Sequence, residues 1–192
     1  SYNKEIEKDG GLQTPFIVGA VFRGEYKVWE GVNCMADFHS WLVSNERIKN
    51  HPDYPKYIDY KNAKLLTELP FNELEKVKRP EDPIKYINAY NGANYDHYFL
   101  WREELKRKGD KSKFMISNGR IIGGNIKKAK LIDLNLHITG SLANNLKTNN
   151  CSIAKGSINY DDMTSWESTT EKNKILTKDY LKADVLGLEE LY

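Results

Sequence analysis

Cysteine is scarce: two residues, Cys34 and Cys151, stand far apart in a chain of 192. Neither has a neighbour at metal-binding spacing and a disulfide framework is not supported, so both read as free thiols of a reducing compartment. The four histidines, His39, His51, His97 and His137, share no metal spacing either. His97 is expected on a helix surface beside Asp96. No apolar run approaches the length of a membrane span, and no signal-peptide pattern is visible. Charge of one sign is missing as well. With 29 basic residues against 27 acidic ones the net charge is +2, so any contact with nucleic acid has to come from a local patch. Internal repeats and low-complexity tracts are absent.

What is present suits one globular domain of mixed structure: 40% hydrophobic and 29% charged residues on a chain long enough for a real core. The wealth of Asn, Lys, Ile and Tyr fits AT-rich coding, as in organelles or some plasmids, and points to a mitochondrial or cytoplasmic setting. Thr14 to Phe22 is a β-branched, apolar run that predicts a strand buried on both faces. Arg23-Gly24-Glu25 turns it into a return strand, Tyr26 to Trp29. Met35 to Val43 has the periodicity of a short amphipathic helix, with Trp29 and Trp41 as core residues. The proline-punctuated stretch 45–83, helical near Asn62 to Leu69, reads as a surface insertion.

Ile84 to Tyr90 predicts the next strand. It stops at Asn91-Gly92, a pair that tolerates positive φ, and Asp96 opens a helix that ends at Lys108-Gly109. That helix is expected to bury Phe99, Leu100 and Leu105 and to expose Arg102, Glu103, Lys106 and Arg107. Asn118-Gly119 joins Phe114–Ser117 to Arg120–Gly123 as a hairpin. Ala129 to Leu136 reads as a strand carrying Asp133, Ser141 as the cap of a helix from Leu142 to Leu146, and Cys151 to Tyr160 as extended. Thr177 is expected to cap a final helix from Lys178 to Tyr192, with Leu181, Val185, Leu188 and Tyr192 as its apolar stripe. Strands that alternate with helices, with hairpins early, predict an α/β or α+β domain: a mixed sheet flanked by helices.

The chemistry-bearing residues sit at the ends of these elements. Tyr180 and Asp184 are spaced i, i+4 and share a helical face. Asp96, Asp133 and Asp184 lie on three different elements, the way hard cations such as Mg²⁺ receive carboxylate oxygens. Lys155 can place a positive charge beside a phosphate, and Asn91 can hydrogen-bond a nucleotide. For each of these alone, a capped helix, a solvated Asp or an ordinary loop is the commoner meaning.

Together they acquire a pattern. Asn91-Gly-Ala-Asn-Tyr95-Asp96 resembles the second exonuclease motif, Asn-x2-3-Phe/Tyr-Asp, of family-B DNA polymerases. Tyr180-x3-Asp184 resembles their third motif. Lys155-Gly156 resembles the lysine motif of the protein-primed subgroup found in linear plasmids, linear mitochondrial elements and small phages. Asp133 falls where that subgroup has Asp-Ser-Leu. The resemblance runs from about Thr14 to Tyr192. It implies an RNase H-like fold of the DnaQ type, and a proofreading 3′–5′ exonuclease that acts on single-stranded DNA with two Mg²⁺ or Mn²⁺ ions. By motif match Asp96 and Asp184 are metal ligands, Tyr180 orients the attacking water, Lys155 stabilises the scissile phosphate, and Asn91 and Tyr95 contact the 3′ end.

Two departures temper the expectation. The family's first motif, Asp-x-Glu, belongs just before Pro15-Phe16, where Glu5-Ile6-Glu7 is the nearest match and puts Glu in place of Asp. A motif upstream of Ser1, and so absent, is expected instead, with impaired catalysis. Leu134-Asn135 also stands where the subgroup has a Ser-Leu that binds single-stranded DNA. The chain ends inside the last exonuclease helix, which implies no polymerase activity in this polypeptide. The alternative is a degenerate polymerase-derived domain kept as a structural subunit among protein partners of a larger assembly. A blander module, binding nucleic acid through Lys127, Lys128 and Lys130 with Tyr90, Tyr95 and Tyr98, ranks last.

Overall fold

A computed structural model describes residues 14–66, 77–109, 112–154 and 166–192, the side chains of 63–66 excepted. The first unit is a hairpin of β1 (Ile17–Phe22) and β2 (Glu25–Glu30), paired antiparallel from Ile17↔Glu30 to Phe22↔Glu25. Arg23 and Gly24 make its turn with φ of 56° and 75°, the positive values that a two-residue hairpin connection needs. Only Ile17 and Val18 of β1 are fully buried, so the strand is less enclosed than its composition predicts.

The main sheet is four-stranded, in the order β3 (Tyr86–Ala89), β6 (Ala129–Asp133), β5 (Arg120–Ile126), β4 (Phe114–Ser117). β3 and β6 are parallel, and the other two pairings are antiparallel. Asn118-Gly119 forms the predicted hairpin, with φ of 49° and 70°. Helices α1 (Cys34–Val43) and α4 (Asp96–Lys108) pack on this framework. Met35, Phe38 and Leu42 of α1 join Phe99 and Leu100 of α4, Val18 of β1, and Ile126 and Leu131 of the sheet in the larger core cluster. Trp29, Phe38 and Trp41 form an aromatic group at its edge, with ring centroids 4.9–6.1 Å apart. The architecture is therefore a mixed α/β fold, a mixed sheet flanked by helices.

α4 departs from its predicted facing. Glu103 and Glu104 are buried along with Phe99 and Leu100, while Arg107 is exposed. The burial of Glu104 is possible because its carboxylate accepts from His39 Nε2 of α1 (2.8 Å) and from Arg107 (2.6 and 2.9 Å) and lies 3.1 Å from Lys108 Nζ. Buried charge survives where such partners exist.

Between α1 and β3 lie α2 (Glu46–Lys49) and α3 (Tyr54–Leu66). α3 starts before the stretch predicted for it. Pro55 is no obstacle, because the first helical turn has no N–H bond to lose. Arg47 donates to Trp41 O, Leu42 O and the Asp82 carboxylate, so the two ends of the 45–83 stretch are tied to the end of α1. Lys127 donates to Ser44 O (2.9 Å) and Asn45 Oδ1 (3.1 Å), which makes it a structural tether rather than part of a free basic patch.

The last two helices are α5 (Leu142–Thr148), capped by Ser141 as predicted, and α6 (Glu171–Leu191). α6 begins two turns earlier than predicted. Thr170 is its cap, accepting from Asn173 N–H, whereas Thr177 sits inside the helix and donates back to Asn173 O at 2.7 Å. Leu181 packs so closely on β1 that a Cβ at Gly19 would stand 2.9 Å from Leu181 Cγ. A smaller cluster of Phe16, Ile17, Trp166 and Leu181 seals this contact, with Phe16 and Trp166 stacked at 5.4 Å. Tyr192, expected in the apolar stripe, is 62% exposed at the helix end. Among the described residues no helix is long and apolar enough to cross a membrane. Both cysteines are free.

Candidate functional site

β1, β3 and α6 surround a cavity of about 860 Å³. Several of the chain's motif residues are among its polar lining. Asn91, Tyr95 and Asp96 come from the corner between β3 and α4, and Tyr180 and Asp184 come from α6. The i, i+4 spacing on α6 therefore delivers the Tyr and the Asp to the same space, while Leu181 beside them anchors the helix to β1.

The corner after β3 is shaped by conformation before chemistry. Asn91 is left-handed, with φ 63° and ψ 24°, a conformation Asn tolerates because its short polar side chain bonds locally. Its Oδ1 accepts from Asn94 Nδ2. Gly92 follows, buried, and no other residue fits there: a Cβ would lie 2.6 Å from Ala89 Cβ and 2.8 Å from His97 Nε2. A single 3-10 turn, Gly92–Asn94, leads to α4, which Asp96 opens as its first residue; Tyr95 is the cap position. Asp96 is half-buried, with Oδ1 shielded from solvent, and Asp184 is placed likewise on α6. Burial raises the Asp96 pKa above the usual carboxylate range, and the Asp133 charge pushes the same way. Tyr95 stands 47% exposed at the cavity mouth.

Two side chains behave differently from their sequence reading. His97 is fully buried rather than on a helix surface: its Nδ1 faces Ile121 O at 2.9 Å, so Nδ1 carries the proton and bolts the start of α4 to β5. The one sign of this in the sequence is its i, i+3 spacing to the core residue Leu100. Asp133, grouped by sequence with Asp96 and Asp184 as a third carboxylate, does not line the cavity. Its carboxylate accepts from backbone: Oδ1 takes Asn91 N–H (2.8 Å) and Asn135 N–H (3.0 Å), and Oδ2 takes Ala93 N–H (2.9 Å). The strand that carries it ends there, and Leu134–Leu136 is a 3-10 turn rather than more strand.

Glu5, Glu7 and Lys155 lie outside the described residues. The approach to Lys155 is held in place. Glu190 of α6 accepts from Ser152 N–H (2.7 Å), Ser152 Oγ (3.1 Å) and Ile153 N–H (3.2 Å). Hydrogen bonding to these donors holds the Glu190 pKa below the ordinary range.

The donor chemistry of the cavity suits a hard cation. Asp96 and Asp184 both line the cavity, and Mg²⁺ is commonly held by one or two carboxylates, keeping waters and substrate phosphate as its other ligands. Among the described residues no three His, Cys, Asp or Glu side chains gather as a complete metal cage. In comparisons with known proteins, no family model, curated protein or solved structure matches the chain.

Proposed function

We propose that the cavity is the active site of a 3′–5′ exonuclease domain of the RNase H-like, DnaQ type, from a family-B, protein-primed-type DNA polymerase, and that it turns over slowly. The observation that carries this reading is that Asn91, Tyr95, Asp96, Tyr180 and Asp184, from two distant stretches of sequence, all line one cavity. The substrate is the 3′ end of single-stranded DNA. Asp96 and Asp184 are the residues that would hold Mg²⁺ or Mn²⁺. A divalent ion bound there supplies the charge that stabilises the attacking and leaving oxygens of a phosphodiester.

The remaining steps belong to the chain. The Tyr180 phenol, one helical turn from Asp184, orients the attacking water. Asn91, at the turn, hydrogen-bonds the terminal nucleotide. Tyr95 at the mouth offers a π-face for a terminal base to stack on. Lys155 supplies positive charge to the scissile phosphate. Glu5 and Glu7 are the nearest match to the first motif, and the extra methylene of Glu at the Asp position lowers the rate.

Metal binding tests this directly. Titration of the chain with Mn²⁺ is expected to broaden the NMR resonances of Asp96 and Asp184 before others. Asp184→Ala is expected to weaken that binding by at least about tenfold, the loss that follows when a charge-bearing ligand is removed. Binding that is identical in Asp184→Ala and Asp96→Asn would refute the assignment.

A second reading, a polymerase-derived domain kept as a structural subunit of a larger assembly, is favoured by one observation. Met115 and Ile116 of the edge strand β4 are 61% and 55% exposed, and Ile122 of the adjoining β5 is 38% exposed. Exposed apolar residues on an edge strand suit a protein partner.

A further inference from the structure

Asp133 is 2% exposed at the last position of β6, where the parallel register sets it opposite Ala89, the last residue of β3. Its carboxylate therefore meets the backbone that leaves β3. Two of its three N–H donors, Asn91 and Ala93, belong to that turn, and the third, Asn135, belongs to its own. An ionised carboxylate that collects several backbone N–H bonds makes each of them charge-assisted. The turn so gripped holds a left-handed Asn91 and a Gly92 with no room for a side chain. On its far side His97 is fastened to Ile121 O. The corner is thus clamped at both ends, by Asp133 before it and His97 after it, and the side chains of Asn91 and Asp96 leave it toward the cavity.

We infer that Asp133 is the positioning residue of this site: its carboxylate fixes the Asn91–Ala93 turn, and through that turn the placement of Asn91 and Asp96 on the cavity wall. The inference rests on the nuclease reading for what the placed residues do. It does not rest on it for the clamp. Asp133 touches neither the cavity nor any atom that reacts there, so its effect passes through the backbone, as outer-shell partners act on metal ligands.

The experiment compares the full chain with Asp133→Asn and Asp133→Ala by amide hydrogen exchange, Asn91 ¹³C shifts and Mn²⁺ titration. Asp133→Asn keeps the size and one acceptor oxygen, and so carries the test if Asp133→Ala fails to fold. Exchange at the Asn91 and Ala93 amides is expected to accelerate about tenfold while the β5 and β6 amides keep their rates. The Asn91 shifts are expected to leave left-handed values, and Mn²⁺ affinity to fall roughly 10- to 100-fold. Unchanged exchange at Asn91 and Ala93 overturns the inference. So does faster exchange with wild-type Mn²⁺ affinity, the signature of a merely structural cap. If the unsubstituted chain binds no Mn²⁺, the nuclease reading fails by itself. The exchange rates and Asn91 shifts then decide the clamp alone.

Discussion

Burial raises the pKa of Asp96, and the neighbouring Asp133 charge adds to the effect. A carboxyl whose folded pKa lies above its unfolded one favours the fold while protonated. Its contribution is fully present below the unfolded pKa and is lost as pH rises through the folded pKa. At neutral pH in the absence of metal, Asp96 therefore costs stability, a common condition of residues placed for function. Asp96→Asn is expected to raise the urea midpoint of the metal-free chain at pH 7, by roughly 1 kcal/mol of stability, with the gain shrinking toward pH 4. The same change is expected to weaken Mn²⁺ binding. A destabilised Asp96→Asn at pH 7 would show that the carboxylate is a structural group. Metal affinity in the parent chain should fall as pH drops through the raised Asp96 pKa, because proton and cation compete for the same oxygens.

At the scale of elements, α1 and α4 are joined by a buried carboxylate. Burial works to raise the Glu104 pKa, but hydrogen bonds from Arg107, His39 and Lys108 outweigh it and hold the group below the ordinary range. Stability from a depressed carboxyl is present above its unfolded pKa and is lost as pH falls through the folded one. Glu104→Gln is expected to destabilise the chain by about 2 kcal/mol at neutral pH, measured by urea denaturation, since charge-assisted bonds are removed and His39 is left buried. The penalty should shrink in acid, where the parent protonates as well; a pH-independent penalty would contradict the ionic account. Local chemistry announced many elements. Asn118-Gly119 marked a hairpin, Ser141 marked α5, and Lys108-Gly109 marked the end of α4. What sequence could not reveal was pairing at a distance. Periodicity assigned Glu103 to water and left Glu104 unplaced; both are buried, and the His39 partner of Glu104 is 65 residues away. The start of α6 was missed because Thr177 was read as its cap; the cap is Thr170, and Thr177 turns its hydroxyl back to Asn173 O inside the helix.

The whole molecule brings the corner after β3 and the middle of α6 together across a gap of more than eighty residues in sequence. The motif spacing grouped Asp96 with Asp184, and both line one cavity. Grouping Asp133 with them as a third carboxylate did not foresee that its oxygens take backbone N–H groups, which follows from the Ala89↔Asp133 register that only the folded sheet defines. The most direct test of the nuclease assignment is the shortening of a 3′-labelled single-stranded oligonucleotide by the purified chain with Mg²⁺ or Mn²⁺. Slow, metal-dependent loss from the 3′ end is expected, falling by at least about a hundredfold in Asp184→Ala, the order of loss for a single electrostatic group at an active site. No shortening with either ion, or shortening that Asp96→Asn and Asp184→Ala leave untouched, would contradict it.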